Sequence, residues 1–468
     1  MDPILGDDLA HLPQLLDATR QVAERVLSGL DSRPVAAPPE RPAPEPLPAK
    51  GRGARGALAW FAERWEPVMS ASAGPRYLGF VTGGTTPAAL AGDWLTGTLD
   101  QNAVSGDDSA AVDLELETIG WLRELFGLGD RQHGTFVSGA TMSNFTGLVI
   151  AREWLGERRG VEVGRAGAAA LGPVDVLSGS PHSSVLKAMS MAGLGRDRML
   201  RVATLDGREA VDVRRLAARL DELGGRPAIV VANAGTVNTV DYDDLRAVAR
   251  LRERYPFWLH VDAAFGAFAA LSGAHAHLLD GLGEADSICV DLHKWLNVPY
   301  DSAVQFTRRR DLQAAAFHSA AAYLGAPDGL PGGEPDLLHL TPESSRRLRA
   351  LAAWFSLAAY GREGHGEIVE RAIACASDLG DRVAGCADLR LLAPVRLNVV
   401  CFTLARDPSP DRVAAFVRDV AASGEAFVTP TVYEGVHGVR AAFSNWRTGP
   451  ADVERVFAAL AAAAAAGR

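Results

Sequence analysis

The sequence predicts an α/β protein with a mainly parallel central sheet, an N-terminal helical segment and a small C-terminal α+β domain. Three observations carry that expectation. Between about Leu114 and Phe306, helical patterns alternate with short β-branched runs at 174–177, 228–232, 257–261 and 287–290, the signature of βαβ units. At 468 residues the chain exceeds what one hydrophobic core usually serves, so at least two packed units are expected. Polar clusters follow the β-branched runs, and loops at the carboxyl ends of parallel strands are where such sheets bind ligands.

Taken in order, apolar positions at helical spacing fill 9–30, and the Pro-rich stretch 33–48 cannot continue as helix or sheet. A second helical pattern covers 57–69, and Gly79-Phe-Val-Thr-Gly-Gly-Thr-Thr-Pro reads as a loop rich in backbone donors. Residues 1–88 are therefore expected to form a helical arm and dimerisation segment, 89–365 the large domain and 366–468 the small one. A long helix over 348–360 leads into that small unit, with strands at 397–403 and 439–443.

Composition excludes several functions. Hydrophobic residues make up 48%, charged residues 22%, and the net charge is −10. That balance lacks the basic footprint of a nucleic-acid or anionic-lipid binder. The acidic start, Met-Asp-Pro-Ile-Leu-Gly-Asp-Asp, has no signal-peptide pattern, and no apolar run is long enough to span a bilayer. A cytoplasmic enzyme with a small-molecule substrate is expected. Cys289, Cys375, Cys386 and Cys401 lie far apart without metal-like spacing, so they read as reduced thiols and no metal is expected.

Four loops carry the chemistry. Asp291-Leu-His-Lys-Trp ends an apolar run, which places Lys294 beside His293 and Trp295 rather than on a solvated face. In His260-Val-Asp-Ala-Ala-Phe, Asp262 is walled by small and aromatic residues, and a carboxylate there needs a cationic partner. A protonated pyridine nitrogen would serve; so would an ion pair with Lys294. Phe136-Val-Ser-Gly-Ala-Thr-Met-Ser-Asn opens a helix with small residues and hydroxyls, which suits a phosphate and equally an ordinary N-cap. Ser180-Pro-His-Ser-Ser-Val sets His182 where an imidazole could lie over a flat cofactor.

Together these loops resemble the group II pyridoxal 5′-phosphate (PLP)-dependent amino acid decarboxylases, which include aromatic L-amino acid, glutamate and 2,4-diaminobutyrate decarboxylases. The likeness runs from about Pro75 to Phe443. It implies the fold-type I, aspartate aminotransferase-like architecture and a homodimer with active sites at the interface. By resemblance, Gly139, Ala140 and Thr141 bind the phosphate, His182 stacks on the ring, and Thr236 approaches its hydroxyl side. Asp262 and Ala264 hold the pyridine nitrogen and the opposite face, and Lys294 next to His293 is the Schiff-base residue. Asp291 stands where many members carry asparagine. Phe80 and Thr82 lie on the substrate-side loop, Asn102 matches a position that reaches the neighbouring subunit's pocket, and Arg440 an arginine near a substrate carboxylate, although a structural salt bridge also fits it.

The reaction implied is decarboxylation of an L-amino acid to the amine and CO2, with Lys294, His182 and Asp262 as catalytic residues. Burial is expected to keep Lys294 an amine rather than an ammonium. The substrate-side loop favours a polar or small aliphatic substrate. The Gly/Pro-rich segment 320–339 matches the mobile loop that closes over the family's active site; in it Leu337 matches the loop tyrosine, and His339 reads either as a replacement acid or as a solvated loop residue. Without such an acid the outcome shifts toward decarboxylation-dependent oxidative deamination to an aldehyde; another PLP lyase reaction is a further alternative.

Overall fold

The β-branched runs do become strands. The computed structural model describes residues 1–36, 40–106, 109–319 and 336–466. In chain order the strands are β1 (His133–Val137), β2 (Val176–Ser178), β3 (Met199–Arg201), β4 (Ala228–Asn233), β5 (Phe257–Asp262), β6 (Ser287–Asp291) and β7 (Ala303–Thr307). They form one sheet in the order β1-β7-β6-β5-β4-β2-β3. Every residue of β4, β5 and β6 is buried, as expected of parallel strands covered on both faces.

Strand β7 is the exception to the parallel pattern: it runs antiparallel to both β1 and β6. Because β7 reverses twice, β1 points the same way as β6, β5, β4 and β2. With β3 parallel to β2, the carboxyl ends of six strands therefore open on one edge. The link from β5 to β6 also differs from a strand–helix–strand step. It consists of three short 3-10 turns, Gly266–Leu271, Ala276–Leu279 and Leu282–Glu284.

A second sheet is antiparallel, built from β8 (Leu389–Leu391), β9 (Val399–Leu404), β10 (Thr429–Tyr433) and β11 (Val436–Ala442) in the order β10-β11-β9-β8. The helical segment Ala350–Ala384 leads to it and is broken at Gly361, whose φ of 56° is non-helical. The N-terminal pattern becomes two helices, Pro3–Ala10 and Leu12–Ser28, followed by Gly53–Arg64.

One loop joins the second sheet to the edge of the first. The Leu78 amide donates to the Phe427 carbonyl, and the Ala442 amide donates to that of Leu78. Further on, Asn297 Nδ2 donates to the Gly83 carbonyl at 2.5 Å and the Thr86 amide donates to the Asn297 carbonyl. The stretch after Lys294 and the loop from Gly79 to Pro87 are thus stapled together. Gly83 packs so closely that a Cβ there would collide with the Lys294 carbonyl oxygen.

Candidate active site

The common strand edge gathers the sequence-predicted residues. A cleft of about 200 Å³ is lined by Phe80, Val81, Ala140, Ser180, His182, Ser184, Asn233, Thr236, Asp262, Ala264, Phe265, Lys294 and Arg440, among others. Each comes from a distinct step of the chain. Ala140 opens the helix Ala140–Arg159 after β1, His182 caps the helix Ser183–Met191 after β2, Asp262 ends β5 and Lys294 follows β6. Arg440 arrives from β11 of the second sheet.

Asp291 binds three neighbours at once. Its Oδ1 accepts the Ala140 amide at 3.1 Å, while Oδ2 lies 3.0 Å from Lys294 Nζ and 3.3 Å from His293 Nε2. Burial opposes its charge, but Lys294 and His293 more than offset that and hold the carboxyl below its usual range. An asparagine could donate a hydrogen bond to a phosphate; this carboxylate can only accept. Asp291 therefore ties the first turn of the phosphate-side helix to the lysine.

Lys294 corrects the expectation that burial keeps it an amine. Burial does push the ammonium toward neutrality, yet the Asp291 and Asp262 carboxylates outweigh it and raise Lys294 above its ordinary value. In the free protein Lys294 is a paired cation. His182 behaves oppositely: burial lowers it, and Lys294 and Arg440 add to that against the pull of Asp262. The imidazole is therefore neutral near pH 7, and its Nδ1 accepts from the Ser184 amide at 3.2 Å.

The Asp262 carboxylate is 7% exposed and accepts from Asn144 Nδ2 at 2.9 Å and the Ala264 amide at 3.2 Å. Among the described residues it enters no ion pair. A buried carboxylate that faces a cleft with only neutral donors suits a cationic ring nitrogen. Thr236 lines the cleft as well, but its hydroxyl is committed to Glu209 at 2.5 Å. Gly139 precedes the helix in extended backbone, with His293 Cε1 3.4 Å from where a Cβ would be, and Thr141 lies in the first turn.

The substrate-side residues divide. Phe80 stands at the cleft, 60% exposed and in the left-handed region at φ 58°, a strained conformation for an aromatic residue. Its carbonyl accepts from Arg440 Nη2 at 3.1 Å. Arg440 is 8% exposed, its Nε has no hydrogen-bond partner, and it enters no ion pair among the described residues. A structural salt bridge is thus not what holds it. Thr82 is buried, with Oγ1 3.5 Å from the Tyr300 hydroxyl. Asn102 is exposed and accepts the Arg346 amide at 2.8 Å, so within one chain it does not line the cleft.

Much of the proposed closing loop, residues 320–335, lies outside the described residues. Leu337 is buried with Val112 and Leu340. His339 is 4% exposed and accepts the Ser319 amide at 3.1 Å, and neither lines the cleft within this chain. Sequence reasoning missed Asn144, Ser184, His260 and Tyr300. Tyr300 packs on the His293 ring with centroids 4.2 Å apart; its place at the end of the run Lys294-Trp-Leu-Asn-Val-Pro-Tyr was the available signal.

The fold and site define a fold-type I enzyme built to hold PLP against a lysine. Residues 63–405 match the pyridoxal-dependent decarboxylase conserved domain. The chain is 30% identical over 332 residues to an aromatic-L-amino-acid decarboxylase of Bacillus atrophaeus, covering 70% of this chain and 67% of the relative. It is 29% identical over 425 residues to an L-2,4-diaminobutyrate decarboxylase of Rhizobium meliloti, covering 89% and 83%. Among solved structures, Oryza sativa TDC with PLP and tryptamine superposes with a TM-score of 0.88 at 22% identity, over 100% of this chain and 99% of that one. The chain belongs to the pyridoxal-dependent decarboxylase family. It is a PLP-dependent carboxy-lyase acting on an amino acid.

Proposed function

We propose that this enzyme decarboxylates a polar or small aliphatic L-amino acid to its amine, with a substrate carboxylate held by Arg440. The observation that carries this reading is the Arg440 guanidinium, buried at the cleft with no carboxylate partner among the described residues. Leaving a cation so placed is costly unless a ligand anion completes it.

When bound, PLP supplies an electron sink for the pair left on the α-carbon as CO2 departs. The other steps fall to the chain. Asp262 would hold the proton on the pyridine nitrogen, and neutral His182 would lie over the ring without competing for that carboxylate. Ala140, Thr141 and Gly139 would hold the phosphate at the start of a 20-residue helix. Lys294 must lose its proton before its Nζ can act as a nucleophile, and Asp291, 3.0 Å away, is placed to steady that proton. Phe80 and Val81 would exclude water from the substrate side.

A homodimer completes the site. Leu5, Leu9, Leu12 and Leu16 on the N-terminal helices are exposed, as are Trp94, Leu95 and Leu99 on the helix Pro87–Leu99, and apolar surface on this scale favours a partner. In the dimer, Asn102 would reach the neighbouring cleft. The domain limits at 88 and 365 are part of the same proposal. A cytoplasmic setting is supported by buried free thiols at Cys289, Cys375 and Cys401.

The test is to incubate the enzyme with single amino acids while measuring CO2, amine, aldehyde and peroxide. Amine and CO2 in equal amounts from a polar or small aliphatic substrate support the reading. Aldehyde with peroxide would instead establish the oxidative outcome that the buried Leu337 allows, and preference for bulky aromatic substrates would overturn the substrate class.

A further inference from the structure

Behind Asp262 a chain of buried hydrogen bonds runs in one direction only. Trp258 Nε1 can only donate, and it gives its proton to Ser287 Oγ at 2.9 Å. The Ser287 oxygen also lies 2.7 Å from His260 Nδ1, and His260 Nε2 lies 2.9 Å from Asn144 Oδ1. The Asn144 amide nitrogen therefore faces away from His260, and its two protons go to Asp262 Oδ2 at 2.9 Å and Ser184 Oγ at 3.1 Å. Ser184, having accepted, donates to His182 Nδ1 at 2.7 Å.

The direction is set by Asp262: its carboxylate only accepts, so the Asn144 amide nitrogen faces it, Asn144 Oδ1 accepts from His260 Nε2–H, and Nδ1 of the neutral ring accepts the Ser287 hydroxyl. Turning the Asn144 amide over would set its carbonyl against the Asp262 carboxylate and its NH2 against the His260 N–H, two repulsive contacts for two favourable ones. Trp258, Ser287, His260 and Asn144 are all at most 1% exposed, so water cannot substitute for a lost member. Space is reserved for the arrangement: Gly147, one turn after Asn144, would carry a Cβ 2.6 Å from the His260 ring.

We propose that Asn144 is a positioning residue for the reaction, setting the carboxylate plane of Asp262 and, through the Ser184 hydroxyl, steadying the His182 ring. His260, Ser287 and Trp258 keep its amide in the working orientation. Asn144 touches neither the reacting carbon nor the cleft lining; it acts on the two side chains that bracket the ring. Burial pushes His260 down to about 4, so the ring carries one proton, on Nε2 facing Asn144 Oδ1.

This inference rests on PLP docking against Asp262, which the visible absorbance band of the wild-type enzyme checks separately. Asn144→Leu keeps the side-chain size and removes both donated bonds. With the fold intact by circular dichroism, the cofactor should bind about 10- to 100-fold more weakly, the range for losing a hydrogen bond to a charged group. At saturating PLP, kcat should still fall at least tenfold, and the pH midpoint of the cofactor band should move. His260→Phe should reproduce those changes, while His260→Gln, whose amide can donate to Asn144 Oδ1, should recover most of them. Ser184→Ala provides an arm should the others fail to fold, shifting the pH midpoint with a smaller loss of cofactor affinity. An Asn144→Leu enzyme with wild-type kcat at saturating PLP and an unmoved midpoint would overturn the proposal. So would a His260→Gln enzyme no better than His260→Phe, or a Ser184→Ala midpoint identical to wild type.

Discussion

At Lys294, burial and charge pull in opposite directions, and the two carboxylates win. In the proposed reaction Lys294 would act as a nucleophile only after the paired ammonium loses its proton. Asp262 has no such pairing among the described residues, and in the proposed mechanism its effect would fall on the ring. Asp262→Ala is therefore expected to lose more than tenfold in kcat, at least about 1.4 kcal/mol of transition-state stabilisation, with thermal stability nearly unchanged. A variant retaining more than roughly a tenth of the wild-type rate would remove Asp262 from the mechanism. His182, Asp262 and Lys294 were legible in the sequence because each sits in a short motif at the end of an apolar run. Asn144 and His260 were not: one lies inside a helix, the other inside a strand, and their meeting depends on how that helix packs on the sheet. Thr236 was legible as a cleft residue, but its bond to Glu209 is long-range and left no trace.

Among the elements, strand identity was easier to read than pairing. The runs at 228–232, 257–261 and 287–290 became β4, β5 and β6 with one added residue each. The antiparallel insertion of β7 went unread, because the choice of partner between β1 and β6 is set by packing distant in sequence. The turn from β5 to β6 lacks the expected helix, yet leaves Asp262 and Lys294 on neighbouring strand ends. The stapled loop after Gly79 makes its own prediction. Gly83→Ala drives a methyl into the Lys294 carbonyl oxygen, and such overpacking typically costs about 1–3 kcal/mol. Both the melting temperature and PLP affinity should fall, whereas Gly97→Ala, inside the helix Pro87–Leu99 and meeting nothing within 4 Å, should lower neither. Equal behaviour of the two variants would mean that the staple does not hold the lysine segment.

For the whole molecule, acid stability follows from its buried histidines. His260 and His365 are each pushed down to about 4 by burial. Below the ordinary histidine value near 6.5, the unfolded chain takes up protons at both positions that the folded protein refuses, so stability falls as pH drops from about 6.5 toward 4. Asp243, raised to about 6 by burial, works the other way across a similar window, protonating first in the folded state. His182 and His339 are lowered by burial as well, and Asp286 is raised, so the histidines set the direction and stability falls toward acid. The melting temperature should decline by several degrees between pH 7 and 4.5; a flat or rising profile would contradict the buried, neutral histidines.

The central claim is that PLP is carried on Lys294, and borohydride reduction followed by peptide mass mapping tests it most directly. Reduction fixes the cofactor to whichever lysine bears it. The account predicts one pyridoxyl-modified peptide, containing Lys294, with none in Lys294→Ala. Modification at Lys50 or Lys187 in its place, or an unmodified Lys294 in a protein that shows the cofactor's absorbance, would contradict it.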